Sequence, residues 1–382
     1  MRNYSELTAR LQAIGRYRQF REVSCLNAAR ARIDDREVLL FSSNDYLNLA
    51  KDARIRDAAS EAINRFGLGS GASRYITGNH PLYKQLENET ACIKQQEDCL
   101  VYPTGFMTNL GVISALSEKG DLVFSDELNH ASIIDACRLS HAEIKIFPHR
   151  NYEILEEMLE ETPCPGQRFL VSESLFSIAG TTADIPRLAA LKSKFDALLI
   201  IDDAHACGAI GECGGGLTVQ SGVAQSVDIT VGTYSKAYGG LGGFACGKND
   251  LIEYIRNTSR NLIYTTALPA AVTAANLRAL EISSAEWQNM QRSLNANVNL
   301  LQQGLRQMGI EPQARHYIQP VKVGKDEEVV RLSSILLEAG ILVWPIRPPT
   351  VPEGRACLRI SLSLAHGAKD IEKLCQVLKE NF

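Results

Sequence analysis

From about residue 40 to residue 270 the chain repeats one pattern: a short unbroken apolar run, a polar or glycine-containing loop, then a helical stretch. "DCLVY" precedes "PTGFMTNLGVISAL", "DLVFS" precedes "DELNHASIIDACR", and "EIKIF" precedes "NYEILEEMLEE". "RFLVSES", "ALLIIDDAHA" and "DITVGTYSK" follow in turn. Continuous apolar strands alternating with helices predict a mostly parallel sheet covered on both faces. The expected fold class is α/β. Before this region, residues 1–45 read as an amphipathic helix and a short β segment, "REVLLF". Residues 46–275 read as the large sheet domain and residues 276–382 as a smaller α+β domain.

Few function classes survive the composition. A net charge of −4 argues against a nucleic-acid partner. No apolar run reaches membrane-spanning length, so no membrane partner is expected. The N-terminal stretch carries charges throughout, unlike a secretory signal. Ten cysteines include no CxxC pair, so no metal site is expected, and reduced thiols suit a cytoplasmic protein.

In open α/β sheets ligands sit beyond the carboxyl ends of the strands, so the residues ending each apolar run are the candidates for chemistry. "DITVGTYSKAYGGLGG" ends a run with Lys236. An ordinary lysine there would snorkel into water. A lysine in a crowded, partly desolvated pocket has a lowered pKa and can form a Schiff base. "LLIIDDAHACGAIG" ends in Asp202, Asp203, Ala204 and His205. Adjacent strand residues face opposite ways, so the two acids point to opposite faces. One of them, Asp202, suits the nitrogen of a protonated heteroaromatic ring, and His205 would lie nearby. A lysine Schiff base with an acidic partner for the pyridinium nitrogen is the pattern of pyridoxal phosphate (PLP) sites.

Gly105 and Phe106 of "YPTGFMTNLG" open a helix whose free N–H groups suit a phosphate. The hydroxyl of Thr233 adds a donor. His130 of "DELNHASI" offers a flat ring for stacking, and Ser177 of "SESLFS" a small donor. The glycines of 67–74 and 246–250 lack the spacing of dinucleotide and nucleoside-triphosphate loops.

"SNDYLNL", "GSGASR", "DELNHASIIDA", "DDAHACGAIGECGGG", "GTYSKAYGGLGG" and "IYTTALPAA", in this order and spacing, resemble the α-oxoamine synthases. These are PLP-dependent transferases of fold type I. The resemblance implies a large, mostly parallel sheet of the seven-stranded type and a smaller C-terminal domain. It implies a cytoplasmic homodimer that joins an amino acid to an acyl thioester with loss of CO2. "LIYTTALPAA" and "IRPPTVPEG" point to L-alanine and a pimeloyl thioester, carried on coenzyme A or on an acyl carrier protein.

The resemblance also implies roles. Lys236 matches the Schiff-base lysine, Asp202 the partner of the pyridine nitrogen, and His205 the donor to the phenolic oxygen. His130 matches the histidine stacked on the ring and close to substrate. Gly105, Phe106 and Thr233 match phosphate contacts, Ser177 another cofactor contact, and Thr265 a contact to the partner subunit's phosphate. Asn44 and Arg359 match groups near the substrate carboxylate, and Thr350 a substrate contact. Arg18, flanked by Arg16 and Arg21, matches an arginine near the acyl chain. Three other readings remain: a sister synthase joining glycine to acetyl-CoA, a fold-type I aminotransferase, and a catalytically silent scaffold.

Overall fold

A computed structural model of the chain describes residues 2–14, 17 and 20–382. Arg18 lies outside these residues. The central sheet has seven strands: β4 (Asp98–Tyr102), β5 (Leu122–Asp126), β6 (Glu143–Phe147), β7 (Arg168–Glu173), β8 (Ala197–Asp202), β9 (Ile229–Thr233) and β10 (Gly243–Gly247). They follow β1 (Ser24–Asn27), β2 (Arg30–Ile33) and β3 (Arg36–Leu40) along the chain. The spatial order is β4-β10-β9-β8-β7-β5-β6. The pairs among β5 to β9 are parallel, whereas β10 runs antiparallel to both neighbours.

Both faces are covered, as the continuous apolar runs predict. Ile200 packs into the cluster on one face with Phe169 and Val171. Leu199 and Ile201 pack on the other with Leu170. The same alternation sends the next two residues, Asp202 and Asp203, to opposite sides.

The smaller C-terminal sheet joins β11 (Ile318–Gly324), β14 (Ala356–Ser361) and β13 (Trp344–Ile346), all antiparallel. The expected boundary at residue 275 falls inside one long helix, Ala270–Gln307. Nor does the N-terminal β segment stand apart. β1, β2 and β3 form a sheet completed by parallel pairing of β3 with β12 (Ile341–Leu342). Asn44, which follows β3, is thereby carried to the C-terminal unit and its Arg359.

The helix Gly105–Leu116 starts against β10 because Gly243 has no side chain: a Cβ there would lie 2.7 Å from Gly105 Cα. Thr104 caps that helix, its hydroxyl accepting from Met107 N at 3.1 Å.

Candidate active site

A cleft of about 270 Å³ opens at the carboxyl ends of β7, β8 and β9. Lys236 reaches it from the bend after β9, where Gly239 N donates to Lys236 O at 2.9 Å and Gly239 takes φ +67°. Burial pushes the Lys236 amine below its ordinary pKa, against the opposing pull of Asp202 and Glu173. Among the described residues its ammonium has no hydrogen-bond or ion-pair partner. It is not the snorkelling lysine of the ordinary reading.

Asp202, at the end of β8, faces the cleft and is 7% exposed. Asn109 Nδ2 donates to its Oδ2 at 2.6 Å and Ala204 N to its Oδ1 at 2.9 Å. Asp203 points the other way, into a fully buried pair with Lys94 Nζ at 2.5 Å. Ser174 and Thr218 also donate to Asp203, so it is a structural acid.

His130 caps the helix Ala131–Leu139 at the cleft rim, its Nδ1 2.8 Å from Ser132 Oγ. It is an exposed residue, free to present a ring face, with Phe106 edge-on at 6.3 Å. His205 is buried, and burial, reinforced by Lys236 and Arg359, pushes it well below the usual imidazole pKa. Tyr46 OH lies 2.8 Å from His205 Nδ1 and 3.0 Å from Asn44 Oδ1. A donor role for His205 toward the cleft requires the proton on Nε2, with the single Tyr46 hydrogen given to Nδ1 rather than to Asn44 Oδ1.

Arg359 is buried without an acidic partner among the described residues. Nε donates to Ser177 O at 2.6 Å, Nη1 to Ser361 Oγ at 2.7 Å, and Nη2 to Asn44 Oδ1 at 3.1 Å. A buried guanidinium held only by neutral acceptors is suited to an incoming carboxylate.

The cleft fits a planar cofactor with an anionic tail. The helix N–H groups of Gly105 and Phe106 have no intrahelical acceptor and line it. Thr233 lines it too, but its hydroxyl donates to Gly242 O at 2.6 Å. The hydroxyl beside it belongs to Ser235, 2.8 Å away, which sequence reasoning passed over. Asp202 and Lys236 line the same cleft.

Three expected residues stand elsewhere. Ser177 meets the site through its backbone, holding Arg359. Thr350 lines a second cleft, of about 800 Å³, with Tyr17, Arg21, Trp344 and Arg347. Thr265 is partly exposed and lines neither cleft.

Sequence reasoning also missed Glu173, Asn109 and Tyr46. Glu173 ends β7 within the quoted "SES". Burial first, and then the charge of Asp202, raise its carboxyl to about 8. The readable signal was an acid ending a buried strand beside another.

The profile of the family "Aminotransferase class I and II" matches residues 36–378. A protein of Geotalea daltonii named 8-amino-7-oxononanoate synthase is 40% identical over 376 residues, 98% of this chain and 96% of its own. A serine palmitoyltransferase from S. paucimobilis, solved with a bound PLP–myriocin aldimine, superposes with a TM-score of 0.93 at 27% identity. That match covers 99% of this chain and 96% of the other. The crystal structure of 8-amino-7-oxononanoate synthase from Francisella tularensis gives 0.78 at 27% identity, covering 90% and 97%.

Proposed function

The chain belongs to the aminotransferase class I and II family, and from that premise we propose that it is a PLP-dependent acyltransferase of biotin biosynthesis. It forms 8-amino-7-oxononanoate by decarboxylative condensation of an amino acid with an acyl thioester. The observation that carries this reading is one cleft holding Lys236, half-buried and without a hydrogen-bond or ion-pair partner among the described residues, and, at the end of the adjacent strand, Asp202. The relatives' shared name supports the product.

PLP, when bound, supplies an electron sink for charge developing at the amino acid α-carbon. The rest falls to the chain. Lys236, with its amine pKa lowered by burial, is available as the neutral nucleophile that holds the cofactor and as the base that takes the α-proton. Asp202 would present its side chain to the ring nitrogen, steadied by Asn109 and Ala204 N. Gly105 and Phe106 N–H groups, with the Ser235 hydroxyl beside them, would hold the phosphate end, and Thr233 lines it. His130 walls one side of the cleft, His205 completes the cofactor contacts, and the Ser177 carbonyl holds Arg359. Arg359 and Asn44 bind the substrate carboxylate and orient the α-carbon toward Lys236.

The substrates we propose are L-alanine and a pimeloyl thioester, on coenzyme A or an acyl carrier protein. The second cleft suits the acyl component. Arg21, Arg347 and Thr350 line it, and Trp344 of its wall is the register partner of Arg359. Arginines match the terminal carboxylate of a pimeloyl chain. The functional unit is a homodimer with Thr265 reaching the partner's phosphate site. Tyr264 is 73% exposed, and the helix Tyr4–Ala13 buries none of its residues, which supports a partner surface. The ten cysteines are free thiols, in keeping with a cytoplasmic site of action.

The test is kinetic: kcat/KM for L-alanine with pimeloyl-CoA against kcat/KM for glycine with acetyl-CoA. The first pair should win. A higher value for the second would move the chain to a sister synthase and leave the cofactor assignment intact.

A further inference from the structure

The helix Gly105–Leu116 carries one asparagine among mostly apolar residues, and Asn109 is 2% exposed. Its amide nitrogen donates both hydrogens, to Asp202 Oδ2 at 2.6 Å and to Ser132 Oγ at 2.9 Å. Its amide oxygen is buried with no partner among the described residues. An unpaired buried acceptor is destabilising, and an apolar side chain in this helix would avoid it. The value of Asn109 to the protein therefore lies in its two donor bonds.

Both bonds end on the cofactor cleft. Ser132 Oγ accepts from Asn109, so its own hydrogen is free for His130 Nδ1, 2.8 Å away. Ser132 N donates to the same ring nitrogen at 3.3 Å. With two donors aimed at Nδ1, that nitrogen is the acceptor and the imidazole proton sits on Nε2. A single amide thus joins the acid on β8 to the histidine capping the next helix.

We infer that Asn109 is a positioning residue that sets Asp202 and His130 as one unit, fixing the carboxylate's orientation and the histidine's Nε2–H tautomer. The inference rests on the cofactor reading above. A proton on the cofactor's ring nitrogen withdraws electrons from the conjugated system and lowers proton affinity at the Lys236 nitrogen. If Asp202 is no longer held, that withdrawal weakens.

The experiment uses full-length protein loaded with PLP, comparing wild type, Asn109→Leu, Asn109→Ser and Ser132→Ala. In Asn109→Leu the pH midpoint of the visible absorbance should rise by about one unit. Its PLP dissociation constant should rise about tenfold. Asn109→Ser, which keeps one short donor, should fall between. Ser132→Ala spares the Asp202 bond, so its absorbance midpoint should stay put. The His130 ring in nitrogen-edited NMR of that variant should lose its single Nε2–H tautomer. A wild-type midpoint and affinity in Asn109→Leu overturn the inference. Should that variant not fold, an unchanged His130 tautomer in Ser132→Ala overturns it instead. A wild-type protein with no visible band on adding PLP overturns the cofactor reading and the inference together.

Discussion

Glu173 and Asp202 are register partners at the carboxyl ends of the adjacent parallel strands β7 and β8. Two acids so placed in a buried cleft cannot both ionise freely, and it is Glu173 that is raised, to about 8. Glu173 Oε2 accepts from Ser177 N at 3.1 Å, while Oε1 has no partner among the described residues. The unfolded chain ionises this group near 4.5, the folded chain near 8. Its contribution to stability is complete below the lower value and is lost as pH rises through the higher one, at about 1.4 kcal/mol per unit. Glu173→Gln should therefore match wild type in thermal unfolding near pH 4.5 and exceed it at pH 8. Equal midpoints at both pH values would contradict the raised carboxyl.

Lys236→Ala removes both the proposed nucleophile and the proposed base. Turnover should fall by about a thousandfold or more. PLP would still bind through its phosphate, with altered colour. Steady-state assays of the purified variant decide this, and wild-type multiple turnover would refute the assignment.

Asp202→Asn keeps the shape and removes the group proposed to face the ring nitrogen. Exchange of the alanine α-proton into deuterated water, followed by NMR, should slow by about a hundredfold. The fold should survive, because the carbonyl oxygen of the introduced amide can still accept from Asn109 or Ala204 N. An unchanged exchange rate would strip Asp202 of its role.

Arg359→Lys retains a positive charge but loses the planar fork. Ser177 O, Ser361 Oγ and Asn44 Oδ1 would compete for three ammonium hydrogens, leaving less for substrate. The KM for the amino acid should rise about 10- to 100-fold with a smaller change in kcat. A fall in kcat alone would place Arg359 outside substrate binding.

Lys94→Met breaks the buried pair with Asp203 behind the sheet. Removing one member leaves an unpaired buried carboxylate, at a cost of about 3–5 kcal/mol. Denaturant unfolding measures this directly. A loss below about 1 kcal/mol would mean that Ser174, Thr218 and Leu217 N suffice to hold Asp203.

Strand periodicity alone located the large sheet, and the residues ending its apolar runs named Lys236, Asp202 and His205. The opposite facing of Asp202 and Asp203 was also readable, since it follows from a two-residue repeat within one strand. These are local properties: burial on both faces writes a continuous apolar run, and the run stops where the chain leaves the sheet. The sequence alone could not say which acid would be structural. That depended on Lys94, more than a hundred positions away, arriving behind β8 at the end of the helix Leu82–Ile93. Glu173 became a neighbour of Asp202 only because β7 lies beside β8 in the sheet order. Asn109 reached both Asp202 and Ser132 only because its helix crosses the face on which they meet. Arg359 and Asn44 are brought together by β3 pairing with a C-terminal strand. Periodicity records which face of an element is buried. Which buried polar groups meet is settled by how distant elements pack, and there each unpaired donor or acceptor must find its partner.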